Sequence, residues 1–474
     1  MLITVGIGLV IGFAVYWFSR SDDDFLGRRE ALLLVALSWL WGAAVAALPF
    51  WLWAMFATIT PDHPFHSWIP CYFESMSGLT TTGATVLNTA PNDIESLPHG
   101  LLLWRSLTHW LGGLGIVVLF VAVLPTLGVG AKKLFQVEAT GPTQSGVRPR
   151  IKETARVLWL IYLGMTVLEI VLLRIFGMTW FDSVCHTFAT LATGGFSTQN
   201  ASAGAYHGFG INLVLIMFMF FAGVNFGLYY KMFRGHVRQA LADTEFRMYV
   251  GFIVFSSVII TIFLANSSIE TSDGRTLTGV AAALHHSVFQ VVSIQTTTGY
   301  ATADFDKWHF VPKTILLALM FIGGSAGSTG GGIKVIRILI TFKVMIAEIE
   351  RIFRPNVVRT VKVGRMTIDP ELRLATVVYV FGIFVLCAIG AFLIYTIESF
   401  YGSTDISIDF TTASTASIAT LNNIGPGLAK VGAIQNYGWF SHPSMAVMCV
   451  LMALGRLEVY AIMVLFVPRF WRGE

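Results

Sequence analysis

Four short stretches of this 474-residue sequence place a glycine just after threonines or asparagines. The stretches are Thr80–Thr85 (TTTGAT), Ala192–Thr198 (ATGGFST), Thr296–Thr302 (TTTGYAT) and Asn422–Gly427 (NNIGPG). Their backbone carbonyls and threonine hydroxyls are oxygen ligands of the kind that replace the water around a dehydrated cation. Glycine supplies backbone angles at which a carbonyl can turn toward such an ion without a Cβ clash. The residue types therefore predict a cation site built from backbone and hydroxyl oxygens.

The four stretches are copies of one unit. A single Thr-Gly turn is common and by itself predicts little. Each of the four, however, follows a short apolar segment, and the copies recur at similar intervals, which is the signature of an internal repeat. One loop offers too few oxygens to hold a cation, whereas four loops around a pseudo-fourfold axis offer four per layer. We therefore predict that the loops form one filter.

The elements that position the loops are predicted to be membrane helices. A helix needs about 20 residues to cross ~30 Å of hydrocarbon. Nine apolar runs are that long, near 2–18, 31–57, 100–127, 155–176, 210–232, 248–265, 312–342, 374–397 and 442–468. Four others, which precede the loops, are too short, at 64–79, 180–192, 281–296 and 405–420. Because backbone groups cannot face lipid unpaired, the short segments are predicted to be re-entrant pore helices buried in protein. Their C-terminal ends would point partial negative charge at a cation.

Composition and charge indicate an all-α polytopic membrane protein. The sequence is 55% hydrophobic and 12% charged, with a mean hydropathy of +0.70, which excludes an ordinary soluble domain. If the pore helices enter from outside, the outer loops hold few basic residues, namely Arg275, Lys307, Lys313 and Lys430. The positive-inside rule then predicts a cytoplasmic C-terminus. The outer loops are also rich in acids, which either attracts cations or follows from the same sorting.

Five segments follow from this topology. They are an N-terminal extra helix with its cytoplasmic loop at 1–30 and four span–pore-helix–span repeats at 31–150, 151–243, 244–365 and 366–474. The third repeat contains the stretch Gly323–Gly332, in which six of ten residues are glycine. Such a run cannot hold a helix, because each glycine costs about 1 kcal/mol relative to alanine. A phosphate-binding loop is a poor alternative, because Lys334 is followed by Val335 rather than by serine or threonine.

Six motifs of the sequence are similar to those of one transporter family. They are TTTGATV, ATGGFST, TTTGYAT and LNNIGPG in the loops, GGSAGSTGGGIK in the third repeat and RIKETARVLWLIY in an inner stretch. With them, nearly the whole chain after residue 30 resembles the Trk/Ktr/HKT superfamily of potassium transporters, most closely its TrkH branch. This resemblance implies that the filter glycines are Gly83, Gly195, Gly299 and Gly425. The potassium-binding oxygens would then belong to Thr81, Thr82, Thr193, Gly194, Thr297, Thr298, Asn423 and Ile424.

Two features depart from the family pattern. The fourth loop has Asn422, Asn423 and Ile424 in place of the threonines, so the predicted filter is not fourfold symmetric. One N-terminal helix precedes the first repeat, where the TrkH branch usually has two.

The resemblance also implies a gate. The glycine-rich stretch would cross beneath the filter, and the gate residues would be Gly323, Gly324, Gly327, Gly330, Gly331, Gly332 and Arg456. A charge near the middle of a span costs roughly 2.5–3.5 kcal/mol, so Arg456 needs a partner. Glu458 is the simplest choice, but residues two apart face different sides of a helix. The family interpretation, in which Arg456 donates to loop carbonyls, is favoured. Arg105 and Arg174 lie closer to the ends of their spans, where they are expected to snorkel or to pair, and they receive no role.

The function that the resemblance implies is potassium uptake across the bacterial cytoplasmic (inner) membrane, with the potassium ion as substrate. A sodium-selective or proton-coupled secondary transporter is the alternative. Relatives with serine at the first filter glycine can favour sodium, whereas Gly83 favours potassium. The residues leave open whether another ion is coupled. The chain is not expected to be an enzyme, because its histidines form no HExxH signature and its four cysteines show no metal or redox spacing.

Partners follow from the same resemblance. The family pairs its membrane subunit with a separate TrkA-like nucleotide-binding regulatory subunit, and the basic inner stretches 331–373 and 132–156 would be its docking surface. Positive-inside sorting explains those charges equally well. This chain itself is expected to bind no nucleotide and no nucleic acid. A homodimer surrounded by membrane lipid is expected.

Overall fold

The computed structural model describes residues 28–87, 92–122, 147–356, 360–364, 366–402 and 407–472, together with residues 6, 12, 13 and 17. The predicted N-terminal span at 2–18 lies almost wholly outside these residues. The part of the basic inner stretch at 132–146 also lies outside them.

Helices follow one order four times: a long helix, a short helix and a second helix. The long helices are α1 (Arg28–Phe56), α4 (Val147–Ile175), α9 (Thr244–Leu264) and α13 (Pro370–Tyr401). The short helices are α2 (Trp68–Leu79), α5 (Trp180–Leu191), α10 (Val280–Gln295) and α14 (Phe410–Leu421). The second helices are α3 (His99–Ala122), α6 (Phe209–Ala222), α11 (Phe310–Leu319) and α15 (His442–Arg456). The all-α polytopic fold class is confirmed.

The remaining elements connect or extend these four units. They are α7 (Phe226–Phe233), α8 (Val237–Leu241), α12 (Val335–Phe353), α16 (Tyr460–Met463), α17 (Pro468–Arg472) and the two-residue strands β1 (Ile269–Glu270), β2 (Thr276–Leu277), β3 (Lys362–Val363) and β4 (Met366–Thr367). Strand β1 pairs with β2, and β3 with β4, each as an antiparallel hairpin.

Two predicted continuous spans are wrong in detail. The span at 210–232 is divided into α6 and α7, whose axes differ by 94°. Asn225 lies in this break and accepts a hydrogen bond from the Gly227 amide (2.7 Å), which starts α7 in a new direction. The span at 442–468 ends at Arg456, because Glu458 and Val459 have positive φ angles of 59° and 58° that a helix cannot accommodate. The predicted break within 312–342 is present, between α11 and α12.

The helices bury apolar side chains between them and expose others outward. Phe50, Phe73 and Met448 belong to one buried cluster, formed mainly by the first and fourth units, and Phe218 and Phe289 to another, formed mainly by the second and third. Large apolar side chains, including Leu374, Phe381 and Phe255, are exposed on the long helices. By length and composition, the four long helices can each cross a membrane. The outward apolar faces are those that lipid would cover.

Each short helix packs inside its unit, and the first three also pack against a neighbouring unit. Helix α2 contacts α15 of the fourth unit, α5 contacts α3 of the first, and α10 contacts α6 of the second. Glycines permit some of these approaches. A Cβ at Gly112 of α3 would overlap the carbonyl oxygen of Leu79, and one at Gly455 of α15 would overlap that of Leu421. These carbonyls belong to the last residues of α2 and α14, so the second helices set the depth at which the short helices end.

We expect Gly455→Ala to lower the thermal stability of the purified protein in detergent. The added methyl group meets backbone that cannot move aside, and overpacking of this kind costs about 1–3 kcal/mol. Gly382→Ala on α13 is the matched control, since a Cβ there has nothing within 4 Å. The control is expected to be neutral or slightly stabilising. An equal melting temperature for the two variants would contradict the close approach of α15 to α14.

Candidate cation-binding site

The four predicted loops share one backbone conformation. In each, the residue two positions before the glycine has a positive φ, between 53° and 61°, and so does the glycine, between 78° and 94°. The first members are Thr81, Thr193, Thr297 and Asn423, and the glycines are Gly83, Gly195, Gly299 and Gly425. A positive φ is a genuine outlier for a β-branched residue such as threonine. Strain of this kind persists only where surrounding structure imposes it, and it is concentrated at functional sites.

Hydrogen bonds at the ends of the short helices impose this conformation. The residue before each glycine donates its amide to a carbonyl five residues back, over distances of 2.8 to 3.0 Å. The pairs are Thr82 to Ser77, Gly194 to Ala189, Thr298 to Ser293, and Ile424 to Ala419. The preceding residue, the one with positive φ, donates to a carbonyl three residues back in each loop. These are the two bonds of a Schellman motif, in which a left-handed residue ends a helix and satisfies its last carbonyls.

The loops contact one another in a closed cycle. A Cβ added to each of the four predicted filter glycines would overlap the carbonyl oxygen of the residue that precedes the glycine of the next loop. The pairs are Gly83 with Gly194, Gly195 with Thr298, Gly299 with Ile424, and Gly425 with Thr82. The fourth contact returns to the first loop. Equivalent carbonyls from all four loops therefore lie in one ring.

The fourth loop keeps this geometry with different side chains. Asn423 is fully buried, and its Nδ2 donates to Thr82 Oγ1 (3.0 Å) and to the Met452 carbonyl (2.9 Å). Asn422 Nδ2 donates to the Ile418 carbonyl (2.9 Å). The Asn423 side chain thus connects the fourth loop to the first loop and to α15, whereas the Asn422 side chain bonds back to α14. Among the described residues, Asn423 Oδ1 and Thr81 Oγ1 are buried without a hydrogen-bond partner.

The glycine-rich stretch lies directly against the ends of the short helices. Thr329 Oγ1 donates to the Leu191 carbonyl at the end of α5 (2.9 Å), and the Gly331 amide donates to Thr297 Oγ1 (2.6 Å). A Cβ at Gly331 would lie 2.6 Å from the Asn422 carbonyl oxygen. The stretch is therefore packed beneath three of the four loops, in contact with backbone that only glycine permits it to approach.

The other predicted gate glycines lie at the turns of the same stretch. Gly323 donates its amide to the Ile333 carbonyl (3.0 Å), where the chain enters and leaves the loop side by side. Gly327 and Gly332 have positive φ angles of 70° and 64°. Side chains are excluded at the remaining positions, since a Cβ at Gly324 would lie 2.9 Å from the Gly223 carbonyl oxygen and one at Gly330 would lie 3.0 Å from that of Thr296.

Arg456 lies beside this stretch at the end of α15. The side chain is 2% exposed, Nη1 donates to the Thr329 carbonyl (2.8 Å), and Nη2 donates to the Gly112 carbonyl of α3 (3.2 Å). Glu458, the alternative partner, instead forms an ion pair with Arg337 of α12. Arg337 also stacks over the Tyr379 ring, 4.1 Å from its centroid.

Glu245, which no sequence motif singled out, holds the glycine-rich stretch from α9. Oε1 accepts hydrogen bonds from the amides of Ala326 (2.8 Å) and Ile336 (3.1 Å). One is in the loop and the other is in the first turn of α12, where amides lack helical partners. The only local signal is a glutamate in the first turn of α9, after the capping residue Asp243, which many helices share.

Arg105 was also missed, because it was interpreted as a residue near a span end. It is 1% exposed and forms an ion pair with Glu74 of α2, with 2.8 Å between Nε and Oε1. Arg174, by contrast, lies in the last turn of α4, where it donates to the Met178 carbonyl (3.3 Å). In the part of the chain that the structure describes, histidine, cysteine and acidic residues form no metal-binding group.

We expect Glu245→Ala to speed amide hydrogen exchange at Ala326 and Ile336 by about tenfold or more, since a hydrogen bond to a charged group contributes about 1.5–3 kcal/mol. Glu245→Gln is the control because its amide oxygen can still accept both bonds. Exchange measured by mass spectrometry in detergent should show protection that is largely retained in the control. Equal protection in both variants would mean that the carboxylate does not hold the loop.

Comparison with known proteins agrees with this architecture. The TrkH family, described as a cation transport protein, matches residues 14–472. The potassium uptake protein TrkH of Salmonella typhimurium is 39% identical over 471 residues, covering 99% of this chain and 91% of the relative. TrkG of Escherichia coli is 32% identical, with 99% and 91% coverage. The crystal structure of the potassium transporter TrkH from Vibrio parahaemolyticus has a TM-score of 0.83 and 35% identity, over 99% of this chain and 92% of that one.

Proposed function

Because this chain belongs to the TrkH family of cation transport proteins, we propose that it takes up potassium across the bacterial inner membrane through the ring of four loops. The relatives are named potassium transporters and not enzymes. The observation that carries the proposal is the closed cycle of equivalent carbonyls at Thr82, Gly194, Thr298 and Ile424. Carbonyl rings replace the water lost by a dehydrated ion without burying a formal charge.

Two further features support a cation at this ring. The four short helices end at the loops, so the partial negative charge of each C-terminus lies next to the ion. Thr81 Oγ1 and Asn423 Oδ1, at equivalent positions in the first and fourth loops, are buried oxygens whose hydrogen-bonding capacity is unused among the described residues. A bound cation or its water would satisfy them.

We propose that the stretch Gly323–Gly332 is the gate. It fills the space below the ring, and Arg456 anchors it through the Thr329 carbonyl. The buried guanidinium also opposes a cation that rests there, because like charges repel strongly where water is excluded. Opening requires the stretch to leave the ends of α5 and α10.

We further propose the partners that the family implies. A TrkA-like nucleotide-binding subunit would bind the cytoplasmic side near α12, which follows the glycine-rich stretch directly and ends in exposed residues including Arg351 and Arg354. Displacement of α12 would then pull on the gate. The chain would act as a homodimer in the lipid bilayer with its C-terminus in the cytoplasm.

Flux of potassium, rubidium, sodium and lithium into liposomes under an imposed voltage tests the filter. A voltage of 100 mV drives a monovalent cation with about 2.3 kcal/mol. We expect potassium and rubidium to pass in preference to sodium and lithium, and Gly83→Ser to reduce that preference, because its Cβ overlaps the Gly194 carbonyl. Gly274→Ser is the control, since Gly274 also has a positive φ (85°) but a Cβ there meets nothing within 4 Å.

Strict sodium passage, or potassium flux that requires a fixed ratio of protons, would contradict potassium conduction. Unchanged selectivity in Gly83→Ser would contradict the proposal that the first loop forms part of the filter.

Arg456→Ala is expected to raise the potassium flux at least severalfold, because it frees the Thr329 carbonyl and removes a buried positive charge below the ring. Deletion of two residues from the glycine-rich stretch should act in the same direction. Arg174→Ala, which removes an exposed arginine that donates to the Met178 carbonyl rather than to the stretch, should leave the flux unchanged. The same liposome assay measures all three variants, and an unaltered flux in the first two would contradict a gate at this position.

A further inference from the structure

A buried ion pair lies behind the first loop. Arg105 of α3 and Glu74 of α2 are 1% and 0% exposed, and Nε and Oε1 are 2.8 Å apart. Burial of two charges is not favourable in itself, because the lost hydration offsets most of their attraction. Such a pair needs further hydrogen bonds to each partner, and those bonds show what the pair holds in place.

Glu74 holds the chain that leaves the first loop. Oε2 accepts a hydrogen bond from the Val86 amide (3.0 Å), and Oε1 accepts one from Thr85 Oγ1 (3.1 Å). Thr85 and Val86 follow Gly83 by two and three residues. The carboxylate therefore fixes the backbone immediately outside the ring of carbonyls.

Arg105 extends from the first loop to the second. Nη1 donates to the Ser197 carbonyl (3.2 Å), and the guanidinium lies over the Phe196 ring, 4.1 Å from its centroid. Nη2 donates to Thr85 Oγ1 (3.4 Å). Ser197 and Phe196 directly follow Gly195. One guanidinium thus contacts the segments just beyond two neighbouring filter glycines.

His109, one turn further along α3, connects the same two loops. The Phe196 amide donates to Nε2 (3.3 Å), so Nδ1 carries the proton and donates to the Gly78 carbonyl of α2 (2.7 Å). Residues four apart lie on the same helix face. Through these hydrogen bonds, this face of α3 connects α2 to the second loop.

Equivalent positions in the other units carry no carboxylate. Glu74 lies nine residues before Gly83, and the same offset gives His186, Gln290 and Ala416. His186 Nε2 accepts from Ser197 Oγ (3.0 Å), and Gln290 Nε2 donates to Thr302 Oγ1 over 3.5 Å. Ala416 has no side-chain group that could accept or donate such a hydrogen bond. The first loop is therefore held by charge-assisted hydrogen bonds, which are roughly twice as strong as neutral ones.

We propose that Arg105 and Glu74 are positioning residues for ion selectivity, which set the separation of the first and second filter loops. The inference rests on the proposed function of the ring as a potassium filter. A ring distinguishes ions by the size of its cavity and by the number and direction of its carbonyls. Because each glycine contacts the next loop, a shift of the first loop against the second alters the whole cycle.

Arg105→Lys separates the geometry of the guanidinium from its charge. Lysine keeps the positive charge that balances Glu74, but a single ammonium on a flexible stem does not reproduce the planar fork that contacts Glu74, Thr85 and Ser197 together. We expect the ratio of potassium to sodium flux to fall about tenfold, equivalent to ~1.4 kcal/mol of discrimination, while potassium still passes. A role in stability alone would lower both fluxes together and leave their ratio unchanged.

The double variant Glu74→Gln with Arg105→Gln keeps the test decisive if the lysine variant fails to fold, because it removes both charges and leaves neither unpaired. It should also lose selectivity. Lys307→Gln is the control, since it breaks an exposed pair with Glu270 on the outer side and should change neither flux nor ratio. Size-exclusion profiles and melting temperatures report folding.

The outcomes are distinct. A wild-type protein without potassium preference contradicts the proposed function. A selective wild type with equally selective Arg105→Lys and double variants overturns the positioning role alone. Loss of folding in both variants assigns the pair to stability and also overturns it.

Discussion

The four short helices that precede the loops end where lipid cannot satisfy their last carbonyl groups, and the rest of the described structure follows from that constraint. Each of the four helices ends in the same Schellman motif, with a left-handed threonine or asparagine and two hydrogen bonds back into the helix. The motif turns the chain sharply and leaves the following carbonyls directed toward the neighbouring loop. The same motif therefore both ends each short helix and orients the carbonyls that form the ring.

The common backbone is supported by four different sets of side chains. The first loop depends on Glu74 and Arg105, the second on His186 together with Arg105, and the third on Gln290. In the fourth, Thr415 takes over from the alanine at the equivalent position, accepting from the Leu428 amide (3.0 Å). Backbone bonds within each loop therefore specify its shape, whereas the side chains behind it determine how firmly that shape is held. An asymmetric sequence can in this way maintain a nearly symmetric ring.

The glycine-rich stretch next to the ring is held differently from the four loops. It makes few contacts through side chains of its own and is held by groups from elsewhere, namely Arg456 from α15, Glu245 from α9 and the carbonyl of Gly223 between α6 and α7. The 94° bend after α6 exposes that carbonyl to Ser325, whose amide donates to it (2.8 Å). Because α12 begins directly after the stretch and its first turn donates to Glu245, these anchors connect the space below the ring to α12 and α9.

Much of this fold could be predicted from local pattern. Hydrophobic run length separated the long helices from the short ones, and the short helices begin and end within one residue of their predicted bounds, apart from the starts of the first and the fourth, which lie four and five residues later than predicted. Six glycines in ten residues correctly marked the break between α11 and α12. Where local pattern failed, at α6–α7 and after Arg456, an apolar run continued through the break, and hydropathy does not register a cap such as Asn225 or a positive φ such as that of Glu458.

The sequence by itself determined the fold class, the family and the identity of the loop residues, because helix length, glycine placement and the four-fold repeat are properties of chain order. Tertiary structure alone decided which groups meet: Arg105 with Glu74 and the second loop, Glu245 with both ends of the glycine-rich stretch, and Arg337 rather than Arg456 with Glu458. The partners of these charges lie between 31 and 121 residues away along the chain. A charged residue within an apolar run predicts that it has a buried partner, but only the packing of the helices determines which group that partner is.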